Sequence, residues 1–272
     1  MKPTRTLALF LGALLAAVPA LAQTYILETP DSTLNSDGWA LSAANMSGFR
    51  AAITNPLYFG ASGTVHTSIT IQDLSTITAP SLAGVNGFIE PWWNNSVSAP
   101  FLATIRTAFL GGMDLWLLED DTSHNGLGTA LGIVQSGANG SVSNGTAPFF
   151  SGPFGTATNT GTFGNFAQFD ETTILALHGT VIGRNAAGQV TAVYWPKGAY
   201  APGSGALILF SDVDMISNAN GNPYSPNLNA NGILALDTTA KLVQAVPEPG
   251  TTALLGLGVV LLFVRRRFRQ SA

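Results

Sequence analysis

Between Gly87 and Glu119 the chain reads strand, helix, strand with little spare length, and this order restricts the fold more than any other feature. Gly87-Phe88-Ile89-Glu90 is a short strand closed by Pro91. Ser98 to Leu110 opens on Ser98-Ala99-Pro100, a cap followed by an early proline, and carries Phe101, Leu102, Ile105, Ala108 and Phe109 on one face, as a helix packed on a sheet does. Gly111-Gly112 stops it. Met113 to Leu118 then reads as a buried strand that ends at Glu119, Asp120 and Asp121. Strands joined through a helix run parallel, so the expected fold class is α/β, a single three-layer domain with a mainly parallel sheet.

The flanking segments fit that class. Leu41 to Thr54 has helix-compatible spacing at Leu41, Ala44, Phe49, Ala52 and Ile53, whereas Val65 to Ile71 alternates like a half-buried strand. Leu127 to Val134 is a further candidate helix. Ser136 to Asn165, rich in Gly, Asn and Ser, reads as a long surface excursion. Thr180 to Arg184 and Val190 to Trp195 flank Asn185-Ala186-Ala187-Gly188, a hairpin loop. Ala206 to Phe210 is a third buried strand, followed by Ser211-Asp212, and Gly232 to Val243 is a closing helix. No repeat of solenoid or propeller length recurs.

Charge and composition remove whole classes of function. The 272 residues include no cysteine, which excludes disulfides, thiolate zinc sites and a cysteine nucleophile. Charged residues make up 10% of the chain, yet a mean hydropathy of +0.29 is too apolar for disorder. Residues 23–246 hold five of the basic and fourteen of the acidic residues, a net −9. A nucleic-acid partner is excluded, because phosphates are neutralised by clustered Lys and Arg and here the five are scattered singly.

Both ends look like addresses. Residues 1–22 combine a basic start (Lys2, Arg5), an apolar run from Leu7 to Val18 and the small-residue site Ala20-Leu21-Ala22, the layout of a signal peptide removed after Sec export by signal peptidase. A permanent N-terminal anchor is the alternative, but the run is shorter than the ~20 residues a spanning helix needs. Residues 246–272 read Val246-Pro247-Glu248-Pro249-Gly250, an uncharged stretch from Thr251 to Val264, then Arg265-Arg266-Arg267-Phe268-Arg269. The prolines hold an extended backbone before the segment, and the arginines would stay cytoplasmic. Fourteen helical residues span about 21 Å of a roughly 30 Å hydrocarbon core, which suits a transient stay in the inner membrane.

This ordered tail resembles the PEP-CTERM sorting signal of Gram-negative bacteria at Pro247, Glu248, Pro249, the short Leu/Gly-rich transmembrane helix and Arg265, Arg266 and Arg267. The resemblance implies an exosortase partner, a membrane-embedded cysteine transpeptidase that cleaves near Pro-Glu-Pro and passes the protein to the cell envelope or exopolysaccharide matrix. It divides the chain into a signal peptide (1–22), an ectodomain (23–245) and the sorting signal (246–272). The ectodomain's order of elements weakly resembles class I glutamine amidotransferase-like and flavodoxin-like sheets, including catalytically silent members with a late strand followed by Asp, as in Leu207-Ile208-Leu209-Phe210-Ser211-Asp212. Without a cysteine, glutaminase chemistry does not carry over.

Three sets of residues could carry chemistry. Glu119, Asp120 and Asp121 after one strand, and Asp212 and Asp214 after another, would converge if those strands are neighbours, the four aspartates offering oxygens to Ca²⁺ or Mg²⁺; ordinary loop capping is the plainer reading, and no other cofactor is implied. His124 beside Asp120 and Asp121 is the one place where a Ser-His-Asp arrangement could assemble, with Ser123 or a distant serine as nucleophile and Asp212 as a further acid, though no G-x-S-x-G elbow exists. Trp92 and Trp93 beside Asn94 and Asn95 have the composition of a sugar-stacking loop, or they close the core. The expectation is an exported, exosortase-processed envelope or matrix protein with a non-catalytic ectodomain; the alternative is a secreted hydrolase acting on a polysaccharide or ester.

Overall fold

The computed structural model describes residues 23–94, 96–139, 149–158, 165–218 and 228–244. Residues 24–245 form one compact unit. The expected signal peptide and the expected sorting signal, with Pro247, Glu248, Pro249, Arg265, Arg266 and Arg267, lie outside the described residues, as does Asn95. Among the described residues no helix is long and apolar enough to cross a membrane.

In chain order the elements are β1 (Gln23–Pro30), α1 (Ser47–Ile53), β2 (Thr67–Leu74), β3 (Gly87–Pro91), α2 (Ala99–Leu110), β4 (Asp114–Leu118), α3 (Gly126–Ala130), β5 (Gln135–Asn139), β6 (Ser151–Gly152), β7 (Gly155–Thr156), β8 (Asn165–Phe169), α4 (Glu171–Ala176), β9 (Thr180–Arg184), β10 (Val190–Trp195), β11 (Leu207–Phe210) and α5 (Ala230–Val243). Seven strands make the main sheet in the order β2-β1-β3-β4-β11-β10-β9. β1, β3, β4 and β11 run parallel, and the β9–β10 hairpin adds an antiparallel edge. The α/β class with a mainly parallel sheet is therefore correct.

The strand-helix-strand unit forms as its residues dictate. Ser98 sits at the N-cap in an extended conformation, with a proline in the first turn, although its hydroxyl makes no capping hydrogen bond. Gly112 ends the helix at φ 110°, a left-handed backbone that glycine adopts without strain. Ile105 and Phe109 of α2 pack on Phe88, Leu115, Leu117, Leu207 and Leu209, one face of the sheet. On the other face the fully buried Trp116 meets Phe49 of α1 edge to face at 5.5 Å and Phe210 at 6.5 Å. The hairpin loop closes as read: the Asn185 side chain accepts from the Ala187 and Gln189 amides, and Gly188 takes φ 80°.

Several expected boundaries are corrected. The helix expected over Leu41 to Thr54 is a 3-10 turn at Ala44–Met46 followed by the short α1, and the one expected over Leu127 to Val134 shrinks to α3. Ser136 to Asn165 is not simply a surface excursion. β5 and β8 pair antiparallel through five residue pairs, and Phe149 and Phe150 beyond them are buried. Of the two strands, β5 is Gln-Ser-Gly-Ala-Asn, which leaves no apolar period to read. Phe154 donates its amide to the buried Asp237 at 2.9 Å, which lays the β6–β7 segment over α5. With α1 and the 214–216 turn packed against it as well, α5 is buried on nearly all sides, Thr238 and Thr239 included.

Candidate functional site

In open parallel sheets ligands settle beyond the carboxyl ends of the strands, where the strand order reverses. Here β2 and β3 lie on opposite sides of β1, and the neighbouring strands end in acids: Glu28 in β1, Glu90 in β3, Glu119 after β4 and Asp212 after β11. Glu28 is opposite Phe88, and Glu90 opposite Leu117. Because side chains alternate along a strand, Glu28, Glu90 and Glu119 all point to the face covered by α2.

These three carboxyls are buried, at 1%, 2% and 0% exposure. Glu90 Oε1 accepts the Trp93 amide at 2.6 Å. Glu119 accepts from the Gly128 amide at 2.6 Å and from the Gln135 side chain. Among the described residues, neither oxygen of Glu28 has a hydrogen-bond partner, nor does Glu90 Oε2. Burial pushes Glu28 up to about 7 and Glu119 up to about 8, the latter against two hydrogen bonds that favour its charge. Burial, with the Glu119 charge nearby, holds Glu90 well above the usual carboxylate range. At neutral pH the set is thus largely protonated and resembles a packed polar seam more than an ionic site.

The aspartates divide differently from the sequence expectation. Glu119 donates its amide to the Phe210 carbonyl at 3.0 Å, so the chains leaving β4 and β11 remain side by side. Burial, then the charges of Asp212, Asp214 and Asp121, push Asp120 up to about 9. Burial, then the Asp214 charge, push Asp212 up to about 8 although Asp212 accepts the Asp214 amide at 2.9 Å. Asp120, Asp212 and Asp214 are therefore brought together. Asp121 belongs to its own turn: burial would raise it, but bonds from Ser123 and His124 outweigh burial and hold it below its usual value. Among the described residues no group of three or more His, Asp or Glu side chains is placed to hold a metal ion.

His124 does come to this edge, in a different arrangement from a triad. Its Nδ1 lies 2.9 Å from Asp121 Oδ1 and 3.1 Å from Ser123 Oγ, while Nε2 faces Asp37 Oδ2 at 3.6 Å. A Ser-His-Asp relay needs serine and acid on opposite ring nitrogens. Here Ser123 is bonded to Asp121, both share Nδ1, and the acid toward Nε2 is Asp37 at 3.6 Å, beyond hydrogen-bond distance, so the expected Asp121 is in place but the order of a relay is not. The His124 ring stacks on Trp92 at 3.8 Å, and Trp92 meets Trp39 edge to face at 5.4 Å. Trp93 is a core residue, 4% exposed, with its indole N–H on the Leu34 carbonyl. Sequence reading missed Glu28, Glu90, Asp37 and Trp39 as members of this edge. The first two were legible as acids inside apolar strands; the others reach it only through loop folding.

Fold and site together define a doubly wound α/β domain with a buried acidic seam at the carboxyl edge of its sheet. Among solved structures the mmIFT52 N-terminal domain is similar, at TM-score 0.53 and 12% identity over 81% of this chain and 97% of that one, a likeness of fold alone. Cytoplasmic Protein STM3548 from Salmonella typhimurium (TM-score 0.49, 9% identity, 79% of this chain and 98% of that one) and exo-beta-1,4-mannosidase Op5Man5 from Opitutaceae bacterium strain TAV5 (TM-score 0.41, 10% identity, 71% and 32%) are more distant. No curated protein matches the sequence. The particular identity comes from the tail: residues 245–267 match the PEP-CTERM protein-sorting motif, so this is an exported PEP-CTERM protein, addressed to an exosortase and processed at the membrane.

Proposed function

We propose that the protein is a component of the cell envelope or exopolysaccharide matrix, released from an inner-membrane intermediate by exosortase cleavage near Pro247-Glu248-Pro249, and that its ectodomain is a non-catalytic binding or structural module. The sorting motif carries the first half of this reading. Supporting the second, Ser123 and Asp121 share one nitrogen of His124, and burial holds Glu119 and Asp212 toward their protonated forms.

Replacing Pro247 and Pro249 with Ala is expected to leave the chain in the inner membrane with its Arg-rich tail attached. Mass spectrometry of fractionated cells checks this, and an unaltered mature C-terminus in the double variant would refute the proposal.

A further inference from the structure

We infer that Trp39 and Trp92 form a binding corner for a neutral glycan at the carboxyl edge of the sheet. The inference rests on the reading of the ectodomain as a binding module, and is independent of exosortase processing. Both indoles are half-buried, and they meet edge to face at an interplanar angle of 76°, so each keeps part of its ring in solvent beside the other. The corner is built rather than incidental. The loop carrying Trp39 is tied to the Trp92 turn by Asn35 Nδ2 on the Pro91 carbonyl at 2.8 Å and by the Trp93 indole N–H on the Leu34 carbonyl at 2.9 Å. Trp92 donates its own amide to the Leu118 carbonyl at 2.8 Å.

Trp92 is also held at φ 48°, a left-handed backbone that a bulky residue adopts only when its surroundings enforce it. Its indole nitrogen is buried, with no hydrogen-bond partner among the described residues. His124 backs one face of its ring. Asp37 and Asp121, with side chains 34% and 36% exposed, flank that histidine.

Indole faces pack against the C–H face of a pyranose ring, and carboxylates accept its hydroxyl hydrogens. Rigid aromatics placed in advance lose little freedom on binding. Charge selects among glycans: the two exposed carboxylates, in an ectodomain of net −9, disfavour uronate or phosphate sugars. Trp39 is the residue to remove, because Trp92 is needed by the turn itself.

The test titrates the full chain in detergent with cellohexaose, maltohexaose, chitohexaose and polygalacturonate, followed by calorimetry and tryptophan fluorescence. At least one neutral hexasaccharide is expected to bind at millimolar concentration or below. Trp39→Ala should weaken it at least about tenfold without lowering the melting temperature, Trp39→Phe should retain most of the affinity, and polygalacturonate should not compete. Absence of binding by all three neutral sugars, an unchanged affinity in Trp39→Ala, or equal competition by polygalacturonate would overturn the inference. Chain-shortened products in the titration would instead strike the non-catalytic reading and leave the corner in place.

Discussion

Raising the pH from about 5 to about 9 is expected to lower the melting temperature by several degrees per pH unit through most of that range. The cause is the acidic seam. Glu119 and Asp212 are buried and titrate near 8 in the folded protein, and Glu28 near 7. In the unfolded chain such groups titrate near 4. A raised folded value means that the stabilising contribution is complete below about pH 4, declines as pH rises, and is fully lost above the folded value. Each fully buried group then weakens the fold by up to about 1.4 kcal/mol per pH unit between the two values.

Asp121, held low, works in the opposite sense, but only as pH falls toward and below about 4, so the optimum is placed in mild acid. Thermal melts of the full chain at constant ionic strength check this. Asp212→Asn keeps an oxygen for the Asp214 amide and removes one titrating group, so its curve should be flatter and its melting temperature at pH 8 higher than that of the parent protein. A melting temperature that rises between pH 6 and 9 would contradict the protonated seam.

Gly205→Ala is expected to be the most damaging single-methyl change. A Cβ at this position would stand 2.0 Å from the Met113 carbonyl oxygen and 2.4 Å from its carbon. Those backbone atoms cannot yield easily. The Gly205 amide is bonded to the Phe109 carbonyl, Ala206 donates to Asp114 Oδ1 at 2.8 Å, and Leu115 donates to the Ala206 carbonyl at 2.8 Å. Relief requires β11 to shift away from β4 in the middle of the sheet. Overpacking in cores commonly costs 1–3 kcal/mol, and a clash against paired backbone belongs at or above the upper end, about 3 kcal/mol, or a fall on the order of 10 °C. Gly203→Ala is the matched control. It faces strain from φ 86°, but the nearest atom to its Cβ is 3.6 Å away, so its cost should be about 1 kcal/mol. Equal melting temperatures for the two variants would show that the close approach at Gly205 does not matter.

How much of this was legible follows from where the signal lay. The unit from β3 to β4 was plain because Pro100, Gly111-Gly112 and the period of Ile105 and Phe109 all agree with the tertiary fold. β5 and β8 were hidden because Gln135-Ser136-Gly137-Ala138-Asn139 carries no alternation; its partner supplies the order. The convergence of Asp120 and Asp212 could be stated only conditionally, since it depends on β4 and β11 being neighbours although 88 residues separate Leu118 from Leu207. The division of Asp121 from that group was not readable at all. It is decided by which way one turn directs a side chain, toward Ser123 and His124 rather than toward Asp212. Glu28 and Glu90 carry no spacing that marks a site; what distinguishes them is burial, which only the packing of α2 on the sheet reveals.

β11 lies between β4 and β10, and joins the parallel strands to the antiparallel hairpin. It is also the last strand in the chain order, followed among the described residues by α5, which is buried on nearly every side. A chain delivered across a membrane from its N-terminus must therefore wait: two partial sheets can form early, yet they share no seam until residues 207–210 arrive. Contacts of such long sequence separation are slow to close, and until they do β4 and β10 each present an open edge able to pair with another chain. For a chain delivered in that order, export and folding would be coupled in time, and the interval before the central strand arrives would be the one most open to aggregation.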